Sequence, residues 1–189
     1  MTLRGRLVIL EPLRAEHAAG LADAVKPEDD VFRWTNTAPS GEKEMLAWIE
    51  ARRADRPHGR ALAFAQRDAR TGLLVGSTSL FDWDESARAA EIGHTWLAEP
   101  ARRTGINTEA KLLLLTHAFE TMKLARVQIV TDILNARSQR AIERLGATRE
   151  GILRNHRKRL DGSLRDSVYY SFIDREWPAA RPRLAALLK

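Results

Sequence analysis

Cysteine is absent from this chain of 189 residues, which excludes disulfide bonds, thiolate metal sites and a cysteine nucleophile. There is no run of eighteen apolar residues, and Arg4 and Arg6 interrupt the start where a cleavable signal needs an apolar stretch. The expectation is a cytoplasmic protein with no membrane partner. The patterns GxGxxG, GxxxxGK[ST], HExxH and GxSxG are also missing, which removes the common nucleotide-loop, zinc-protease and serine-hydrolase signatures. His17, His58, His94, His117 and His156 have no ligand spacing. Asp82-x-Asp84-Glu85 lacks the further ligands and the glycine of a calcium loop, so no metal is expected. Without an internal repeat or low-complexity linker, residues 1–189 are expected to form one domain, with a short helical tail from about residue 176.

What is present is ordinary in bulk and uneven in charge. A hydrophobic fraction of 44% with 30% charged residues fits a soluble globular chain long enough to bury its own core. Lys and Arg number 31 against 25 Asp and Glu, a net charge of +6. That balance suits a polyanionic ligand such as a nucleotide cofactor, or proximity to nucleic acid, and does not choose between them.

The hydrophobic pattern predicts an opening strand over Leu3–Pro12 with Leu7, Ile9 and Leu3 inward. A helix over Leu13–Val25 follows, stopped by Pro27, then a loop over Asp29–Pro39 holding Phe32 and Trp34. A second helix begins at Ser40, presents Met45, Trp48 and Ile49 on one face, and ends at Arg56-Pro-His-Gly59. Strands follow at Ala61–Gln66 and Leu73–Phe81, with turns at 68–72 and 82–86. Later come a strand over Arg126–Asp132, a helix over Ala136–Leu145 capped by Gly146, and a hairpin of Thr148–Arg159 with Leu164–Asp174. A tail helix is predicted after Pro178. The sum is an α/β layered domain with a mixed, mostly antiparallel central sheet of about seven strands flanked by helices.

The chain is organised around the stretch from Glu91 to Thr108. Glu91–Leu97 alternates as a half-buried strand, Pro100 and Gly105 punctuate a turn, and a long helix starts after Gly105. Its stripe is Ile106, Ala110, Leu114, Ala118 and Met122, widened by Leu115 and Phe119. Arg102, Arg103 and Thr104 stand immediately before that helix. Its unpaired N–H groups, partial positive charge and adjacent guanidiniums make a diphosphate cradle.

The pattern Arg102-x-x-Gly105-x-Asn107 resembles the Arg/Gln-x-x-Gly-x-Gly/Ala signature of the GCN5-related N-acetyltransferases (GNATs), with Asn107 where that family usually has Gly or Ala. Other stretches resemble the family's RimJ/RimL-type branch: Leu7-Val-Ile-Leu-Glu-Pro-Leu13, Glu91-Ile-Gly-His-Thr-Trp-Leu97, Asn135–Ala147, Glu150-Gly-Ile-Leu-Arg-Asn, and Asp161-Gly with Asp166-Ser-Val-Tyr-Tyr-Ser. They cover nearly the whole chain in the branch's order. The resemblance implies the GNAT fold and an acetyltransferase that takes acetyl-CoA as cosubstrate and moves its acetyl group to a primary amine. With no cysteine for an acetyl-enzyme, direct attack on the thioester in a ternary complex is expected. The acceptor would be a protein N-terminus or a small-molecule amine. Ribosome association and a homodimer are further expectations of the same origin.

Site residues follow from the chemistry and the resemblance together. An attacking amine must lose a proton, and Glu91 matches the strand glutamate that serves as base in parts of the family; the alternative is a Glu paired to a nearby Arg. His94 titrates near neutrality, but strand alternation puts it opposite Glu91, beside Ile92 and Trp96. The resemblance places the pantetheine arm along Trp96 and Leu97, and the diphosphate on Arg102, Arg103, Thr104, Gly105, Ile106, Asn107 and Thr108. Asn135 and Ser138 match cofactor-contacting positions, with Ser138 also a candidate acid for the departing thiolate. Helix capping is the alternative for both. Tyr169 is a second candidate acid. Trp34, His94 and His156 are expected to face the acceptor. Between Arg149 and Arg165, six basic residues stand against Glu150 and Asp161, which suits either a docking face for ribosomal RNA or an anionic substrate, or a solvated hairpin tip. A non-catalytic module that senses acyl-CoA or sits on RNA is the other function open to this sequence.

Overall fold

A computed structural model describes residues 1–26, 29–35, 37–54 and 60–189. The helix stop expected at Pro27, the helix end expected over residues 56–59, and His58 lie outside the described residues. One sheet of eight strands is present: β1 (Leu3–Arg4), β2 (Val8–Pro12), β3 (Arg60–Asp68), β4 (Leu74–Asp84), β5 (Ala89–Leu97), β6 (Arg126–Asp132), β7 (Thr148–Lys158) and β8 (Leu164–Ile173). Their order is β1-β2-β3-β4-β5-β6-β8-β7, and among the described residues β5–β6 alone is a parallel pair. Helices α1 (Ala18–Asp23), α2 (Gly41–Ala54), α3 (Ile106–Thr116), α4 (Ala136–Leu145) and α5 (Trp177–Ala186) pack on it. Among the described residues no helix is long and apolar enough to cross a membrane.

Two apolar clusters lie on opposite faces of the sheet. Phe64 belongs to one and its neighbour Ala65 to the other, as the two-residue period of a strand requires. The larger cluster joins Val8, Leu10, Ile92 and Val127 to Ile106, Leu114 and Leu115 of α3, Ile142 of α4 and Leu184 of α5. The smaller joins Leu21 of α1 and Met45, Trp48 and Ile49 of α2 to Trp96 of β5.

The sheet has one strand more than the sequence predicted, because the opening segment folds into a hairpin. Leu3 pairs with Leu10, and Arg4 with Ile9. The turn between them resets the alternation, so Val8 and Leu10 are the fully buried residues, rather than Leu7 and Ile9. Glu109 of α3 pins this turn: its carboxylate accepts from the N–H groups of Arg6 (3.0 Å), Leu7 (2.6 Å) and Val8 (2.8 Å). A Cβ at Gly5 would lie 2.2 Å from that carboxylate, so a larger residue there would displace the group that pins the turn.

Other departures are local. The first predicted helix is a 3-10 turn, Ala15–His17, followed by the short α1. β4 runs on to Asp84, which moves the second turn to residues 85–88. α3 continues through one π turn, His117–Thr121. The tail helix starts at Trp177 with Pro178 in its first turn, where a fixed φ and missing N–H are no penalty.

Candidate active site

The site begins with a fault in β5. Ser77 and Ser79 of β4 oppose Trp96 and Gly93, so three steps of β5 face two of β4. The extra residue is His94, whose φ is +49. A bulge of this kind inverts the alternation beyond it. Ile92 and Trp96, four apart, therefore point into opposite clusters. The expectation that His94 lies opposite Glu91 fails for the same reason. Phe81 is the direct partner of Glu91, which places both on one face. The same ring packs on His94 with centroids 4.3 Å apart, so Glu91 and His94 share a side of the sheet.

Beyond the bulge the sheet opens. β5 pairs with β6 only at Ala89–Glu91, against Arg126–Gln128. Gly93–Leu97 on one strand and Ile129–Asp132 on the other then diverge and line a cavity of about 1210 Å³. Its walls thus include strand edges whose main-chain groups have no neighbouring strand.

One end of the cavity is the start of α3. Gly105, at φ +90, is the N-cap residue and supplies no side-chain cap, so the first-turn N–H groups stay available. A Cβ there would fall 2.8 Å from Leu7, so the close approach depends on glycine. Arg102, Arg103, Thr104 and Asn107 line this end, and the buried Asn107 Oδ1 has no hydrogen-bond partner. Open amides and guanidiniums fit a diphosphate-bearing cofactor. The Arg102 guanidinium is drawn to Asp30 (2.8 Å), which also meets Arg137 of α4 (3.3 Å). Asn135 caps α4, accepting from the Ser138 N–H at 3.0 Å, and both residues line the cavity beside Arg137.

Further along, Glu91 is 5% exposed and accepts a bond from Gln128 at 3.0 Å. Burial holds its carboxyl above the usual carboxylate range, against that bond and the pull of Arg157 and Arg165. His94 Nε2 lies 2.7 Å from a guanidinium nitrogen of Arg52. Guanidinium only donates, so this ring nitrogen accepts and the imidazole is neutral. Burial first, then Arg52 and Arg157, push His94 down to about 3. Its lone pair is therefore engaged.

Of the expected residues, Trp34, Glu91, His94, Trp96, Leu97, Arg102, Arg103, Thr104, Gly105, Asn107, Asn135 and Ser138 all line this one cavity. Ile106 and Thr108 turn their side chains elsewhere: Ile106 into the core, and Thr108 to accept from Arg144 at 2.9 Å. They offer a ligand only main-chain N–H. Tyr169 and His156 are outside the lining and face each other, hydroxyl to Nε2, at 3.4 Å.

Sequence reasoning missed Lys111. It is 4% exposed, lines the cavity, and its Nζ bonds Thr95 (2.6 Å) and Thr78 (3.1 Å), whose hydroxyls are 2.8 Å apart. This triangle ties α3 to the residue just past the bulge. Burial pushes the amine down to about 7. A charged residue beside the apolar stripe was the signal available.

Comparison with known proteins agrees with this geometry. The Acetyltransferase (GNAT) domain family matches residues 7–148. The Bacillus subtilis protein YdaF, whose name describes a ribosomal N-acetyltransferase, is 41% identical over 106 residues. That match spans little more than half of each protein, 56% of this chain and 57% of YdaF. A GCN5-related N-acetyltransferase from Brucella melitensis superposes over 100% of this chain and 86% of its own, with a TM-score of 0.92 and 30% identity. Mycobacterium smegmatis RimJ, solved in complex with CoA-disulfide, superposes over 99% of this chain and 93% of its own, with a TM-score of 0.80 and 26% identity. The bulged and splayed strand, the glycine-opened helix and these matches together show that the chain belongs to the GNAT acetyltransferase family, in its RimJ/RimL-type branch.

Proposed function

We propose that this protein transfers the acetyl group of acetyl-CoA to a primary amine, at a protein N-terminus or on a small molecule, by direct attack within a ternary complex. One observation carries the proposal. The free start of α3, the unpaired edge of β5 and the buried Glu91 all open on the same cavity.

Bound there, acetyl-CoA supplies an acetyl group activated as a thioester. Arg102, Arg103 and Thr104, with the main-chain N–H groups at the start of α3, hold its diphosphate. The edge of β5 at Trp96 and Leu97 offers main-chain groups to the amide-bearing arm, as an added strand would use them. Asn135 fixes the first turn of α4 and so the position of Ser138. Glu91 takes the amine proton, directly or through water, and its raised pKa brings it closer to that task at neutral pH. Ser138, in the lining, is the better placed of the two candidate acids for the leaving thiolate; Tyr169 is not in the lining.

The test is a mass-spectrometric acetylation screen over N-terminal peptides and small amines, run on the parent and on Glu91→Gln. A gain of one acetyl group on at least one acceptor, strongly reduced in the variant, is the expected result. No acetylated product from any amine, with acetyl-CoA shown to bind, would turn the assignment to a non-catalytic acyl-CoA module.

A further inference from the structure

Away from the diphosphate end, β7 and β8 build a cavity wall that carries more positive charge than the protein neutralises. Arg157 and Arg165 are directly opposed across the two strands, and both line the cavity. Like charges in that position repel. The nearest carboxylate is already engaged: Asp132 binds Arg159 at 2.7 and 2.9 Å. Arg165 Nε stands 3.9 Å from Asp132 and is buried with no hydrogen-bond partner. Among the described residues Arg157 has no carboxylate within ion-pair distance.

Glu91, Arg157 and Arg165 line the same cavity, so this wall and the proposed base open on one space. Arg165 is recessed, its side chain 15% exposed, while Arg157 stands exposed at the cavity rim, so the deeper guanidinium is reached by a small anionic group better than by an extended polyanion. A carboxylate or a phosphate between two guanidiniums on adjacent strands would relieve the repulsion and take charge-assisted bonds from each.

We propose that the acceptor is an amine that itself carries a carboxylate or phosphate, bound between Arg157 and Arg165 while its nitrogen lies at Glu91. This rests on the reading of Glu91 as the acceptor end of the cavity. The same wall disfavours polycationic amines by charge repulsion, which is a specificity device in its own right. Guanidiniums near the amine also favour its neutral, attacking form.

Matched acceptors test the proposal by initial rates with acetyl-CoA. Peptides with Asp or Asn in second place, phosphoethanolamine with ethanolamine, and an amino acid with its amide separate peptide carboxylate, phosphate and free carboxylate as the source. The anionic member of at least one pair should have kcat/KM roughly tenfold or more above its partner, and spermidine should be poor. Arg157→Gln/Arg165→Gln should erase that advantage by raising KM for the anionic acceptor alone. Equal rates within every pair, or an advantage that survives the double variant, would overturn it.

A binding arm needs no turnover. N-acetylaspartate should raise the Tm of the parent and not of the double variant, and inorganic phosphate, which the start of α3 also takes, should raise the parent's Tm more than the variant's; the variant's own Tm without ligand shows that it folds. If these anions shift Tm while acetyl-CoA does not bind, the acetyltransferase reading falls and the anion site stands. If acetyl-CoA binds and neither anion shifts Tm, the anion site falls. Stabilisation by single-stranded RNA alone, steep in salt, also overturns it in favour of a nucleic-acid surface.

Discussion

Two arginine pairs stand on the walls of the cavity, and the fold treats them differently. Arg102 and Arg137 share the Asp30 carboxylate, a partner that is 45% exposed. Ion pairs as open as this contribute little and are readily exchanged. Arg157 and Arg165 face one another, and the carboxylate nearest them, Asp132 at 3.9 Å from Arg165, is already bound by Arg159. The first pair is held ready by an internal anion that a diphosphate can displace. The second is left frustrated, a condition that an incoming ligand relieves. Lys111 follows a third course, since burial allows it to shed its charge near neutrality instead of finding an anion.

The comparison can be broken first at Glu91, where the two ends are proposed to meet. Glu91→Gln should lower kcat by about 10²–10⁴-fold, the usual worth of a general base, with calorimetric acetyl-CoA affinity unchanged. Because the raised pKa keeps the carboxyl protonated longer, kcat/KM of the parent should climb with pH through a midpoint above the ordinary carboxylate range. The variant should lose that step. Parent-like rates in Glu91→Gln would leave the second arginine pair with no reacting centre beside it.

Next in size is Lys111. Its folded pKa, about 7, is below the unfolded value of 10.5. Between these pH values the unfolded chain binds the extra proton, so its contribution makes stability rise with pH across that window. Lys111→Met should flatten the rise and gain more stability at pH 6 than at pH 9, read as Tm at the two pH values. An equal change at both would mean that the lysine keeps its charge. The smallest effect is expected at Asp30. Asp30→Asn frees Arg102 and Arg137, and should tighten acetyl-CoA about two- to fivefold by calorimetry. Weaker binding would show that Asp30 orders the arginines and does not merely occupy them.

Much of this was legible in the chain. The apolar stripe from Ile106 onward, Gly146 as a left-handed cap and the closing hairpin all rest on local periodicity and turn chemistry, and each appears. The first strand's phase was lost because its hairpin is pinned by Glu109, a contact across a hundred residues that no window contains. The side of His94 was lost to a bulge with no glycine to announce it, since Gly93 stands one position earlier. Within the site, the cradle was readable because a helix start, a glycine and two arginines are adjacent in sequence. Lys111 with Thr95 and Thr78, Arg137 with Asp30, and the opposed Arg157 and Arg165 depend on which elements become neighbours. Pairings of that kind emerge only with the sheet order.

The central claim is that the opening of α3 and its guanidiniums grip acetyl-CoA. Calorimetric titration of acetyl-CoA into the parent and into Arg102→Ala/Arg103→Ala tests it most directly. The account predicts one site in the parent and an affinity roughly 10–100-fold lower in the double variant, the scale of one or two lost charge-assisted bonds. Equal affinity in the two proteins would contradict it.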